Sequence, residues 1–395
     1  MIVTRVETVR LPGQSLPGNA NADERNSKVT EQNLIWVRLH TDEGLVGLGE
    51  TFYGPRAVEA VIHETFAPFL LGRNPLEIER NWRDMFRIAD HSGYGGAELR
   101  AISAIDIALW DVTGKAAGRP LYELLGGKCR DHIRVYNTGI YGTDAVSYAR
   151  ENLERGLTAM KVGVFPPEHH GDGYAISPAD VDKLIHPVRA IKEELGGAIE
   201  VAVDGHGFWS APAAAMIARA LEPYQVLWLE ELMSPRNANA YLKLAQSTAI
   251  PICLAERFVT RFQFREYIER GIVDIVMPDL LWTGGLSEAR RIASMAEIYQ
   301  LPVCPHDCTG PVNMFACAHL CMNLPNAFLM ETSRSLYDNL YLRLVQPNIT
   351  VEDGYLLAPE GPGLGTELSE EVLARPDAMV VATADGGGHP YSWRQ

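Results

Sequence analysis

Five apolar segments run through the middle of the chain: VAVDGH (201–206), LWLEEL (227–232), ICLAER (252–257), DIVMPD (274–279) and PVCPHD (302–307). Each closes on ionisable residues, namely Asp204, Glu230, Glu256, Asp279 and His306, and a sixth segment, FLMETS (328–333), carries Glu331. The steps between these residues are 26, 26, 23, 27 and 25. A strand followed by a helix takes about that length, so the pattern repeats a βα unit. Carboxylates rarely stand at the ends of buried parallel strands unless they are paired or bind a cation. In a closed barrel all the C-terminal strand ends meet at one face. Residues far apart in sequence then surround one pocket, and its carboxylates and histidine describe a metal-dependent active site.

Upstream, IRVYNTGI (133–140) and TAMKVGVF (158–165) supply two more strands. Helical stretches follow them at about 144–155 and 177–195, and SEARRIASMAEIY (287–299) is a later example. The count is eight strands and seven intervening helices. Even spacing and a polar residue on nearly every strand end favour an α/β fold of the (β/α)8 type, a modified TIM barrel, over a doubly wound open sheet. The first part of the chain has a different grammar. Residues 2–10 alternate like a strand, and 33–50 read as two strands around a Thr41–Gly44 turn. Helical patterns follow at 55–72 and 98–118. The expected division is an α+β capping domain over 1–127, a barrel over 128–348, and a tail over 349–395 packing back on the cap. The polar stretch at about 14–32, the 51–56 loop and the 169–174 insert are the expected substrate-specificity loops.

Composition narrows the function. The 395 residues are 47% hydrophobic, enough for a sizeable core, and carry a formal charge of −15. That charge argues against a nucleic-acid surface. No apolar run is long enough to span a bilayer and the N-terminus lacks an apolar leader, so a cytoplasmic protein without a membrane partner is expected. The six cysteines, Cys129, Cys253, Cys304, Cys308, Cys317 and Cys321, include two i, i+4 pairs. Small buried thiols explain them better than a zinc site does.

Asp204, Glu230 and Glu256 end three consecutive strands. Three hard oxygen ligands favour Mg2+ over Zn2+, the alternative being pairing with basic neighbours at the rim. Period-two alternation lets only one of Glu230 and Glu231 enter the pocket. Asp279 beside His306 suits a general base, because a carboxylate on one imidazole nitrogen fixes the tautomer and raises the basicity of the other. His206 is open to three readings: a fourth metal ligand, a rim histidine, or an acid for a leaving group. Lys161, inside a strand, needs a partner such as a substrate carboxylate, and the next inward position is Gly163. Glu331 is a candidate donor to a developing oxyanion if protonated. Together these roles describe removal of a proton α to a carboxylate, with an ene-diolate held by Mg2+, Lys161 and Glu331.

At this point the chain resembles the enolase superfamily and its mandelate racemase subgroup. The resemblance runs nearly end to end, through GLVGLGE (44–50), the 101–127 stretch, VDxH, WLEE, AER, MPDxxxxGG, PHD and GPGLG (361–365). It implies Asp204, Glu230 and Glu256 as Mg2+ ligands, Asp279 and His306 as the catalytic dyad, and Glu331 as the electrophilic acid. Racemases of the subgroup carry Lys-x-Lys on the second strand, whereas this chain has Lys161-Val162-Gly163. Asp204-Gly205-His206 resembles the Asp-x-His of acid-sugar dehydratases, in which the histidine assists departure of the 3-hydroxyl. The expected activity is dehydration of an aldonate or aldarate to a 2-keto-3-deoxy acid. A racemase or epimerase, and a catalytically retired sugar-acid-binding barrel, are the alternatives. The resemblance also implies a homo-oligomer, dimeric or octameric.

Overall fold

The computed structural model describes residues 1–12, 33–140, 144–166, 173–174 and 176–384. The 14–32 stretch and residues 169–172 of the insert therefore lie outside the described residues. Strands β1 (Val3–Arg10), β2 (Leu34–Thr41) and β3 (Val46–Phe52) form an antiparallel sheet. The long helix Ala97–Ala117 packs against it. Their approach is close because Gly47 and Gly49 have no side chains. A Cβ on Gly49 would stand 1.9 Å from the Ala104 carbonyl oxygen, and one on Gly47 would stand 2.2 Å from that of Ala108. A second amphipathic helix, Ile78–Asp90, completes the cap. It was not among the helices expected from the sequence.

The barrel strands are β4 (His132–Ile140), β5 (Ala159–Gly163), β6 (Glu200–Asp204), β7 (Leu229–Glu230), β8 (Ile252–Leu254), β9 (Ile275–Val276) and β10 (Met330–Thr332). Neighbours from β4 to β9 pair in parallel. The seventh position is extended chain around Val303, which bridges Val276 on one side and Ala327 on the other. β10 pairs with β4 and closes the ring. The eight-stranded barrel expected from the spacing is therefore present. Alternation sorts its residues, with Met160, Val162, Val201, Val203 and Leu229 facing the helices and Ala159, Ala202, Trp228 and Cys253 filling the interior. Helix Pro178–Leu195 starts at Ser177, whose capping box with Asp180 satisfies its first amides.

The tail divides its contacts. Tyr355–Leu357 pairs antiparallel with β4, while Met379–Thr383 pairs with β1. Leu364 in the glycine-rich tail donates its N–H to Asp111 of the cap helix at 2.8 Å. Cap and barrel lock together around the sixth strand end. Trp82 Nε1 donates to the Gly284 carbonyl at 2.7 Å, Thr51 Oγ1 to that of Leu281 at 2.9 Å, and Ser287 Oγ to Asp106 at 2.6 Å. No described helix is long and apolar enough to cross a membrane.

Candidate active site

Parallel register brings the ionisable residues together. Asp204 lies level with Gly163 on one side and Glu230 on the other, and Glu331 lies level with Tyr136. Lys161, one inward step below Gly163, ends among three carboxylates. Its Nζ is 2.5 Å from Glu230 Oε1, 2.7 Å from Glu331 Oε1 and 4.0 Å from Asp204 Oδ2. Trp228 Nε1 holds the other Glu230 oxygen at 3.0 Å. Asp204, Glu230, Glu256, Asp279, Glu331, Lys161 and His306 are all buried.

The chain then leaves strand geometry. Ala255 takes φ 105°, Glu231 φ 32° and His206 φ 50°, backbone that side chains rarely adopt without support. These turns swing Glu256 into the pocket and send Glu231 out of it to Arg257, at 2.7 Å. Arg257 in turn donates to the His206 carbonyl at 2.8 Å. His206 N–H donates to Asp204 Oδ1 at 2.7 Å, and its Nδ1 is 3.4 Å from Asp204 Oδ2.

On the opposite wall His306 Nδ1 is 2.7 Å from Asp279 Oδ2. Asp279 Oδ1 accepts the Leu281 N–H at 2.7 Å. His306 Nε2 faces the pocket, 3.3 Å from Glu256 Oε2 and 3.8 Å from Glu331 Oε2. Burial alone would lower this imidazole, but Cys308, Glu256, Glu331 and Asp279 raise it well above the usual histidine range. The Trp282 ring covers His306 at 5.4 Å, and Arg100 stacks on Trp282 at 4.5 Å. Sequence reasoning missed this cap-supplied arginine, for no local motif marks it.

At Glu331 burial favours the neutral acid, while Lys161, His306 and the Asp307 N–H draw its carboxyl below the usual range. Not all cysteines are buried, since Cys129 is exposed and Cys308 is half-buried in the pocket, because the chain turns past the His306 strand end. Gly163 occupies the next inward position as expected, and a Cβ there would stand 2.2 Å from the Phe165 ring.

Among the described residues, Asp204, Glu230 and Glu256 do not bring their ligand atoms within 4.8 Å of one another; the group that does so is His306, Cys308 and Glu331. Burial pushes the Glu230 carboxyl up to about 8, and although Lys161 opposes this, Asp204, Glu331 and Glu256 add to it. Carboxylates crowded at that energetic cost call for more positive charge than one lysine supplies. Asp204, Glu230 and Glu256 offer only oxygen ligands, the set that hard cations take.

Family models match in two parts: a mandelate racemase / muconate lactonizing enzyme N-terminal domain over 24–126 and an enolase C-terminal domain-like region over 144–372. The chain is 37% identical over 346 residues to a D-galactonate dehydratase of Variovorax paradoxus, covering 85% of this chain and 89% of that one. A D-galactonate dehydratase of Ralstonia nicotianae is 34% identical, with 94% of both chains covered. An enolase of the mandelate racemase subgroup from Agrobacterium tumefaciens superposes with TM-score 0.85 and 38% identity, covering 97% of this chain and 99% of that one. With fold, pocket and relatives in agreement, the chain belongs to the mandelate racemase / muconate lactonizing enzyme family of the enolase superfamily, alongside its acid-sugar dehydratases, which are hydro-lyases.

Proposed function

We propose that the chain dehydrates an aldonate of the D-galactonate type to its 2-keto-3-deoxy acid. One observation carries this reading. His306 stands on one wall with Asp279, His206 stands beside Asp204, and the place of a second strand-2 base is filled by the Phe165 ring. One base with one acid suits loss of water better than inversion at a single carbon.

Asp204, Glu230 and Glu256 would hold Mg2+, which when bound makes the α-proton more acidic and stabilises the ene-diolate charge. Lys161 binds a substrate carboxylate oxygen and donates to it as negative charge develops. His306 takes the C2 proton at Nε2, with Asp279 fixing the ring through Nδ1. His206 protonates the departing 3-hydroxyl, which leaves as water, and the enol product tautomerises to the 2-keto acid. Glu331 positions Lys161 through their ion pair. A cluster of buried groups without competing water strengthens each of these interactions.

The test is incubation with Mg2+ and a panel of aldonates and aldarates, assaying 2-keto acid with semicarbazide. Turnover of D-galactonate supports the reading. Exchange of the α-proton in D2O without loss of water, across the whole panel, would overturn it in favour of an epimerase.

A further inference from the structure

Cys308 is the pocket group that the proposed reaction leaves unused. Its Sγ lies 3.4 Å from His306 Nε2. Among the described residues, His306, Cys308 and Glu331 bring candidate ligand atoms within 4.8 Å of one another. We propose that these three side chains form an inhibitory site for a thiophilic divalent cation, Zn2+ above all, adjoining the carboxylate set of Asp204, Glu230 and Glu256, whose Glu256 Oε2 lies 3.3 Å from the same His306 Nε2.

The spacing suits zinc. A tetrahedral ion with Zn–S near 2.3 Å and Zn–N near 2.05 Å places sulfur and nitrogen about 3.6 Å apart. The observed 3.4 Å is close to that edge. The nitrogen-to-oxygen edge of the same tetrahedron is about 3.4 Å, so the 3.8 Å from His306 Nε2 to Glu331 Oε2 needs only a small rotation. Asp279 grips the other ring nitrogen at 2.7 Å. A carboxylate behind a histidine in this way fixes the ring and raises the basicity of the ligating nitrogen in metal sites. The remaining Glu331 oxygen stays with Lys161 at 2.7 Å, which anchors that carboxylate.

Ligand hardness separates the two cations. An all-oxygen set takes Mg2+, while thiolate with imidazole selects zinc. Cys308 is half-buried, whereas Cys253, Cys304, Cys317 and Cys321 are buried. Binding converts the Cys308 thiol to a Zn–S bond and releases its proton to solvent. The ion then occupies the His306 Nε2 lone pair that proton abstraction needs. The inhibitory consequence rests on His306 being the base, but binding at the site does not.

The experiment adds Co2+ to the Mg2+-saturated protein and records near-ultraviolet absorption. A thiolate-to-cobalt charge-transfer band appearing at one equivalent, erased by Zn2+ and absent in Cys308→Ser, is the expected result. Cobalt in the carboxylate set gives no such band. Even a hydrogen-bond partner behind a ligand is worth about 10- to 100-fold in metal affinity, so Cys308→Ser should raise the Zn2+ concentration for half-inhibition at least about tenfold while Mg2+-dependent turnover persists. No band, or a band that survives in Cys308→Ser, overturns the site. A band with no loss of turnover on Zn2+ addition overturns the inhibitory role and removes His306 as base, while cation binding stands.

Discussion

Replacing Asp279 with asparagine separates the orientation of the base from the rest of the pocket. Asp279 Oδ1 accepts the Leu281 N–H at 2.7 Å, and Oδ2 holds His306 Nδ1 at 2.7 Å. An amide nitrogen cannot accept the Leu281 N–H, so in Asp279→Asn the amide oxygen takes that place. The NH2 group then faces Nδ1, which must become the acceptor, and the ring proton moves to Nε2. That is the atom facing the pocket, 3.3 Å from Glu256, so the base loses its lone pair toward the substrate. The same tautomer error in a serine protease triad lowers kcat about 10^4-fold. At ~1.36 kcal/mol per tenfold, a fall of 10^3 to 10^4 is about 4–5.5 kcal/mol of transition-state stabilisation. The volume is unchanged and the Leu281 contact survives, so thermal unfolding should barely shift. Steady-state 2-keto acid formation and α-deuterium wash-in, measured in parallel, should fall together. A loss of less than tenfold, or exchange that survives while dehydration stops, would refute the dyad argument.

Other outcomes follow from the same structure. His206→Ala should lower dehydration about 10^2- to 10^4-fold, the range for a general acid, yet leave α-proton exchange measurable by NMR; loss of both would assign His206 to holding the cation. Gly49→Ala places a Cβ 1.9 Å from the Ala104 carbonyl oxygen, so a loss of about 3 kcal/mol in urea unfolding is expected from overpacking, and a change near zero would deny the close sheet–helix contact. His319 is buried, with Nε2 2.9 Å from the Leu364 carbonyl, and burial lowers it to about 4. The unfolded chain takes up this proton near pH 6.5 and the folded one only near 4, so stability falls as pH drops through that window, by up to about 3 kcal/mol. His319→Gln should flatten that slope in pH-dependent denaturation, and an unchanged slope would mean other groups set it.

The repeating features were legible before any tertiary structure. The barrel, the strand-end positions of Asp204, Glu230 and Glu256, and the Asp279–His306 pairing each ride on a βα unit of nearly constant length, and period-two alternation decides which side chains point inward. Helix Ile78–Asp90 was passed over although its signal was present, since Ile78, Trp82, Met85, Ile88 and Ala89 recur at helical spacing and are all buried. The tail was expected on the cap, where Met379–Thr383 does pair with β1, but Tyr355–Leu357 also pairs with β4 of the barrel, a pairing that a three-residue strand does not announce.

Strand spacing and motifs carried the fold and the family, and set the ionisable residues at the strand ends. The tertiary structure decided what those residues touch: Lys161 between Glu230 and Glu331, Phe165 beside Gly163, Arg257 under His206, and Cys308 against His306. The physical reason is that these contacts arise beyond the strand ends, where positive-φ residues such as Ala255 and His206 redirect the chain and no periodicity constrains where a side chain points.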